Sequence, residues 1–329
     1  YSFVMITIAV VGFAFTFFSS TVETSAEAGE EELGQQLEII GAQLRIEGID
    51  KNQVFIRNTG TATLENLAFF VGDGIVDATG PDSLEPGNIG TYTLDEAEIA
   101  ANLDSNSVRV TGLGAEDTLG VNLYDGYTVA YWKFDEGSGT TASDSSGNGH
   151  DAVLCTGNPC VESTSNGPQW VDGKSGKALQ FDGSDDWVDT TTNLGLNQPM
   201  TIGLWFNTPN KNAGEYFMDN RPDSGVDWWF IKHYTGGPPC QDVPNNICFE
   251  SRVIANDSDW NIDEWTKIEI AFDATESRMY INDVLVDTGT GQAATITDKL
   301  RIGTRFSNAN YYEGMIDEVR ILNIAKNTP

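Results

Sequence analysis

The sequence predicts a long N-terminal α-helix followed by two all-β domains, and three observations carry that reading. The first eighteen residues are apolar and uncharged, and the first charged side chain is Glu23. Beyond about residue 45 the apolar spacing changes from a helical period to alternation. From there to the end, short alternating runs are separated by Gly, Asn and Asp turns.

Residues 1–18 (YSFVMITIAVVGFAFTFF) would form a helix about 27 Å long, close to the hydrocarbon thickness of a bilayer. No Lys or Arg precedes Arg45, and the run passes into Ser19-Ser20-Thr21-Val22-Glu23 without a small-residue cleavage site. A secretory signal peptide has both features, so the segment is expected to be retained. Such a helix serves either as a membrane anchor or as an assembly element packed against copies of itself. Burying about a dozen large apolar side chains would contribute about 20 to 35 kcal/mol before entropy costs. From Ser19 to about Ile49 the pattern turns amphipathic. Val22, Ala26, Leu33, Leu37, Ile40 and Leu44 recur on one face, while Glu27, Glu30, Glu31, Glu32 and Glu38 lie elsewhere. Gly29, Gly34 and Gly41 weaken the helix, which predicts a kink near 29–34.

This N-terminal pattern resembles an archaeal type IV pilin or archaellin. Bacterial pilins carry Glu at the fifth mature position, where this chain has Met5. The resemblance implies a helical homopolymer whose core is built from residues 1–45. It further implies membrane residence before assembly and a cell-surface filament outside the cell.

Charge narrows the partners. The chain has 49 acidic and 18 basic residues, a net charge of −31. The acidity is global, with 20 acidic and 4 basic residues up to Tyr127 and 29 and 14 after it. A polyanionic partner would be repelled, which excludes nucleic acid. At molar salt the Debye length falls to about 3 Å and self-repulsion vanishes, so a saline habitat is expected.

The first β-domain is placed at 46–126. Leu44-Arg45-Ile46-Glu47 and Val54-Phe55-Ile56-Arg57 read as strands, with Asn58-Thr59-Gly60 as a turn. Leu67 to Val71, Gly90 to Leu94, Val108 to Val110 and Leu119 to Leu123 follow, giving a small β-sandwich. The phrase QVFIRNTGTATLENLAFFVGDG resembles the outer β-domain of archaeal pilins. No chemistry is evident in it.

The second, at 127–329, contains VAYWKFDEGSGTTASDSSGNGHDAVL, GKSGKALQFDGSDDWVDT, TIGLWFNT, WTKIEIAFDATESRMYINDVLVDTG and LRIGTRFSNANYYEGMIDEVRILN. Asn282-Asp283 offers a tight turn between Met279–Ile281 and Val284–Val286. This ordered series is similar to the laminin-G-like, concanavalin A-like jelly roll. The resemblance implies a module that binds glycans or proteins, with structural calcium.

Calcium takes six to eight oxygens from a flexible loop. Asp144-Ser145-Ser146-Gly147-Asn148-Gly149 supplies them, and the resemblance sets Asp317 nearby. The expected ligands are Asp144, Asn148 and Asp317, with Asp135 or Asp151 adding an oxygen; the alternative is an Asx-rich turn capped by its own side chains. Trp132 and Trp205 fall within strand phrases and are expected in the core. Trp228 and Trp229 are adjacent, so in a strand only one points inward. The other, with Arg221, Asp223, His233, Tyr234 and Arg252, is the candidate ligand surface; the alternative is a core residue with a chance exposed neighbour.

Four cysteines predict disulfides with three possible connectivities, of which the local pairing Cys155–Cys160 and Cys240–Cys248 is the simplest, and their spacings fit zinc poorly. Asn256-Asp257-Ser258 is a glycosylation sequon. Catalysis finds little support. There are two histidines, His150 and His233, no metalloprotease, serine-hydrolase or phosphate-loop spacing, and acidic pairs such as Asp185-Asp186 arise by chance in so acidic a chain. The sequence therefore reads as a non-enzymatic filament subunit displaying an adhesive domain. The alternatives are a membrane-anchored monomeric adhesin, an archaellin of a motility filament and, last, a surface glycoside hydrolase.

Overall fold

The computed structural model describes residues 39–327 except 40, 158, 212–213, 221–229, 235–245, 251–252, 292–294, 297–298 and 306–309. They form two compact units. The first holds residues up to Asp95 together with Ser107–Val121, and the second holds Glu96–Asn106 and Asn122 onward.

The long N-terminal helix is a correction. The strand Leu44–Asp50 begins inside the span read as helix, with Leu44 and Ile46 buried and Arg45 and Glu47 exposed, a period of two. The helices described whole are Glu96–Ala101 and Leu123–Tyr127, six and five residues long. Among the described residues no helix is long and apolar enough to cross a membrane. Residues 1–38, with the apolar run and the expected kink, lie outside the described residues.

The first unit is a β-sandwich. One four-stranded sheet runs Leu44–Asp50, Gln53–Asn58, Ile89–Leu94, Ala78–Thr79, and the other Ala115–Gly120, Ser107–Gly112, Ala68–Val71, Gly74–Val76. Alternation directs Val54, Ile56, Phe69, Val71, Val108 and Val110 inward, each at most 3% exposed.

The second unit is a jelly roll of two facing sheets. One contains Lys177–Asp182, Glu313–Leu322, Met200–Asn207, Thr266–Phe272 and Glu276–Ile281, with Thr128–Trp132 also on Glu313–Leu322. The other contains Ala152–Thr156, Asp186–Asp189, Tyr216–Asp219, Phe230–Tyr234 and Asn246–Phe249. Trp132, Phe181, Phe206, Phe217, Tyr312 and Ile316 fill the space between them. Trp132 is wholly buried and its indole N–H donates to the His150 carbonyl at 2.8 Å, so its polar atom is satisfied inside the core. Trp205 is a second correction. Its neighbours Leu204 and Phe206 point inward, so Trp205 faces outward, half-buried, with the Lys174 ammonium 4.4 Å from its ring.

The helix Glu96–Ala101 and the turn after it belong to this second unit, where Asp104 meets a buried lysine. Lys326 has no exposed side-chain surface, and its Nζ lies 2.8 Å from Glu269, 3.0 Å from Asp104 and 3.7 Å from Asp283. Burial alone would lower its pKa, but Glu269 and Asp104 more than offset that and raise it.

Removing one partner of a buried ion cluster leaves the other uncompensated. Lys326→Ala should therefore cost about 3 kcal/mol in denaturant unfolding, the lower end of the usual range because Lys267 also reaches Glu269, at 3.1 Å. The double variant Lys326→Met with Glu269→Leu should recover most of it. A single-variant loss below about 0.5 kcal/mol would mean the cluster behaves as a surface pair.

Candidate functional site

The strand Thr128–Trp132 sets Ala130 and Trp132 inward, which turns Tyr131 outward, and Lys133 follows it as an exposed residue. On the closing strand Val319 and Ile321 face the core and Arg320 faces out. The antiparallel register puts Tyr131 directly opposite Arg320. The guanidinium stacks 3.8 Å from the Tyr131 ring, and the Tyr131 hydroxyl donates to Glu318. A cleft of about 490 Å³ opens here, lined by Asn122, Asp125, Thr128, Tyr131, Lys133, Ser145, Ser146 and Arg320.

The wall of Ser145 and Ser146 is the Asx-rich turn singled out in the sequence. Asp144 accepts from the backbone N–H of Tyr131 at 3.0 Å, of Ser146 at 2.9 Å and of His150 at 3.0 Å. Asn148 donates its side-chain amide to the carbonyls of Thr128 at 3.1 Å and Val129 at 2.9 Å. Asp144 and Asn148 thus staple the turn to the opening strand, the self-capping alternative for this loop. Asp151 does similar work, accepting from Asp144 N at 2.8 Å.

Asp317 lies at a different place. The pairing with Met200–Asn207 shifts register at the next residue, Glu318, whose φ is +53°. Asp317, opposite the outward-facing Trp205 and beside the core residue Ile316, lies on the outer face of the sheet, covered by the turn at Lys174–Ser175. Asp317 has no exposed surface. Its Oδ2 accepts from the backbone of Lys174 at 2.8 Å and Ser175 at 3.1 Å, while its buried Oδ1 has no partner. Burial, with Asp135 adding repulsion, pushes its carboxyl up to about 6. Gly176, at φ +63°, lets Asp135 approach, since a Cβ there would sit 2.0 Å from Asp135 Oδ1. An orphaned buried oxygen beside a second carboxylate fits a hard cation.

The expected ligand surface falls largely outside the described residues, which exclude Trp228, Trp229, Arg221, Asp223 and Arg252. Tyr234 ends the strand Phe230–Tyr234. His233 is a correction: it is 1% exposed, edge-on to Trp260 with ring centroids 5.1 Å apart. The cause is that this strand is covered on both faces, Ile231 in the main core and Phe230 in a second cluster with Tyr216 and Cys248. Burial, with help from Lys211, holds the His233 imidazole down to about 4. Cys155 and Cys160 form a disulfide. Cys248 is also disulfide-bonded, and its expected partner Cys240 lies outside the described residues. Asn256 is exposed at the head of the turn Asp257–Asp259.

The comparisons with known proteins follow this geometry. A family model described as the concanavalin A-like lectin/glucanases superfamily matches residues 182–329, and that part of the chain is a concanavalin A-like jelly roll. No curated protein matches the chain. Among solved structures it is similar to domain 4 of AbnA, a GH43 extracellular arabinanase from Geobacillus stearothermophilus, in complex with arabinotriose. Identity there is 20%, the TM-score is 0.46, and 61% of this chain and 94% of that one are covered. It is also similar to the botulinum neurotoxin serotype D binding domain, at 12% identity and TM-score 0.44, covering 62% of this chain and 49% of that one. The binding domain of botulinum neurotoxin DC in complex with SialylT gives 13% identity and TM-score 0.39, with the same coverage of 62% and 49%. The chain thus spans about half the length of those toxin domains.

The buried carboxyls set the pH response of the metal-free protein. Asp317 titrates at about 6, and Asp186 and Glu215, both raised by burial, at about 7. Each keeps its proton in the folded chain where the unfolded chain, near its ordinary value of 3.8 or 4.5, has lost it. Their contribution is therefore present at low pH and lost as pH rises from about 4 through 7. His233 opposes them: neutral when folded, it contributes fully above about 6.5 and loses that as pH falls towards 4. Three groups outweigh one, so thermal melts in chelator should show Tm falling between pH 5 and 7; a rising Tm across that window would contradict this placement of charge.

Proposed function

We propose that this chain is a surface-displayed, non-enzymatic glycan-binding protein whose jelly roll takes a neutral, hydroxyl-rich saccharide in the cleft between Tyr131, Arg320 and the Ser145–Ser146 wall. The observation that carries the reading is the lining. It mixes hydroxyls (Thr128, Tyr131, Ser145, Ser146), an amide (Asn122), a carboxylate (Asp125) and two cations (Lys133, Arg320), drawn from two strands, a short helix and a turn. Saccharide hydroxyls donate and accept at once, and such a mixture satisfies both roles. The lectin family description at 182–329 supports the same substrate class.

Binding is preferred over hydrolysis on chemical grounds. Glycoside hydrolysis works through two carboxyl groups about 5 to 9.5 Å apart across the scissile bond. Asp125 is the one acidic residue of the lining. Arg320 is engaged as well: burial lowers its pKa, and Asp125 and Glu318 offset that in part.

Calcium belongs to the same reading as a structural ion held by Asp317 with Asp135. It would neutralise the two carboxylates and fix the turn at Lys174–Ser175, whose backbone bonds Asp317. Location outside the cell is supported by the Cys155–Cys160 disulfide, since such bonds persist in oxidising compartments. Presentation on a pilus-like filament is the finer form of the proposal, supported by the uncharged sequence of residues 1–18. Many copies would then turn weak contacts into firm attachment.

On glycan arrays the full chain should bind neutral oligosaccharides. Lys133→Ala, at an exposed position, and Arg320→Ala should each weaken binding by about tenfold, the scale of one or two lost hydrogen bonds. Retained affinity in both variants would remove the cleft as the site. Electron microscopy of native cell-surface material should show filaments built from this chain; a membrane-held monomer would leave the lectin reading intact and discard the filament.

A further inference from the structure

Away from the cleft, the turn between Lys177–Asp182 and Asp186–Asp189 gathers three carboxylates. Asp182, Asp185 and Asp186 each offer an oxygen, and these oxygens all lie within 4.8 Å of one another. They grade from surface to core: Asp182 is exposed, Asp185 half-buried and Asp186 only 3% exposed. The turn uses some of their capacity. Asp182 Oδ1 accepts from Ser184 N at 2.8 Å, Asp185 Oδ2 from Thr156 Oγ1 at 2.7 Å, and Asp186 Oδ2 from Asp182 N at 3.1 Å.

One oxygen is left over. Asp186 Oδ1 is buried and has no partner, which the turn's own hydrogen bonds do not explain. The charges acting on Asp186 among the described residues are the carboxylates of Asp182 and Asp185. A further acid, Glu313, pairs with Asp182 across the ladder and packs on Gly183. Gathering like charges around a buried oxygen is strongly unfavourable unless a cation joins them.

We propose that Asp182, Asp185 and Asp186 form a site for a hard divalent cation such as calcium. The donors are all hard oxygens, with no His or Cys, which disfavours zinc and softer metals. Oxygens that all lie within 4.8 Å of one another can be bridged by one such ion. This site is separate from Asp317. The ladder pairs Asp182 with Glu313 at one end and Leu179 with Ile316 towards the other, so Asp317 lies opposite the far end of the strand. The bound ion would brace this turn against the disulfide loop, because Gly157 N donates to the Asp185 carbonyl and Trp187 Nε1 to the Gly157 carbonyl, both at 3.0 Å.

The adjacent indole of Trp187 supplies the assay. Chelator-treated full-length protein, titrated with Tb3+ and excited through tryptophan, should give luminescence that Ca2+ displaces. Asp182→Asn, at an exposed position, and Asp186→Asn should each weaken terbium binding by at least about tenfold. Each should also bind one calcium fewer by equilibrium dialysis, while Trp187→Phe should lose signal and keep its calcium. Asp317→Asn should leave the Trp187-sensitised signal in place, whatever becomes of the other ion and of glycan binding. Unchanged terbium affinity in Asp182→Asn and Asp186→Asn, or a signal lost only in Asp317→Asn, would overturn the site.

Discussion

The register of one strand organises the jelly roll. Glu313–Leu322 pairs with Lys177–Asp182 and Thr128–Trp132, and with Met200–Asn207 in the same sheet. Its alternation sends Ile316, Val319 and Ile321 into the core, each with no exposed surface. Side chains of that size contribute about 1.5 to 3 kcal/mol apiece when fully buried. A slip of one residue would turn them to solvent and bring Arg320 inward, so the core fixes the register. The outward features are consequences. Arg320 meets Tyr131 because Val319 meets Trp132. The ladder is irregular where it pairs with Thr128–Trp132 and again at Glu318. Asp317, opposite Trp205 on the outer face, is buried by the turn at Lys174–Ser175 and feels the charge of Asp135.

Much of this was legible in the sequence, and the limit lies where local pattern stops carrying information. Alternation in VAYWK sorts Trp132 inward and Tyr131 outward with no knowledge of the partner strand. It cannot reveal that Tyr131 bonds Glu318, 187 residues away. The positive φ at Glu318 falls on a residue type that does not announce it, so the register shift beside Asp317 has no local signal. The Asp144 loop was recognisable as rich in oxygens, but whether those oxygens face a metal or their own backbone is decided by Thr128 and Val129 across the turn. His233 misled because the sequence does not say which face of its strand is inner, and His233 shares the face of Ile231, which packs in the core. At Leu44 a helical series and the first strand share a residue, so the period alone placed the boundary wrongly.

The segment Glu96–Asn106 is the clearest case of organisation hidden from the sequence. Composition gives no boundary at Asp95 or Ser107, yet the residues between them belong to the second unit. What holds them there is partly electrostatic: Asp104 shares Lys326 with Glu269, and the Tyr124 hydroxyl donates to Asp104. A backbone bond from Asn327 N to the Ala100 carbonyl at 2.9 Å adds to this. Each partner is ordinary in sequence, and the cluster exists only once the sheets have formed.

The disposition of cations bears on what the cleft can bind. The chain has 18 Lys and Arg against 49 acids, and many of the described ones sit over aromatic rings. Lys174 covers Trp205 and Lys211 covers Trp260, each at 4.4 Å, and Arg109 covers Phe70 at 3.8 Å. Cation–aromatic contacts at exposed positions such as Lys174 contribute about 0.5 to 1 kcal/mol each, and they hold the cation against the protein's own surface. Lys326 is buried outright, and Arg320 is partly balanced by Asp125 and Glu318. The net charge of −31 sets a negative long-range field, against which Lys133 and the partly compensated Arg320 are a local positive offset in the cleft. A neutral, hydroxyl-rich ligand is not repelled by that field, because its recognition rests on short-range hydrogen bonds with the strand and turn donors. On the proposed reading, the acidity that disfavours nucleic acid also favours uncharged saccharides over acidic ones.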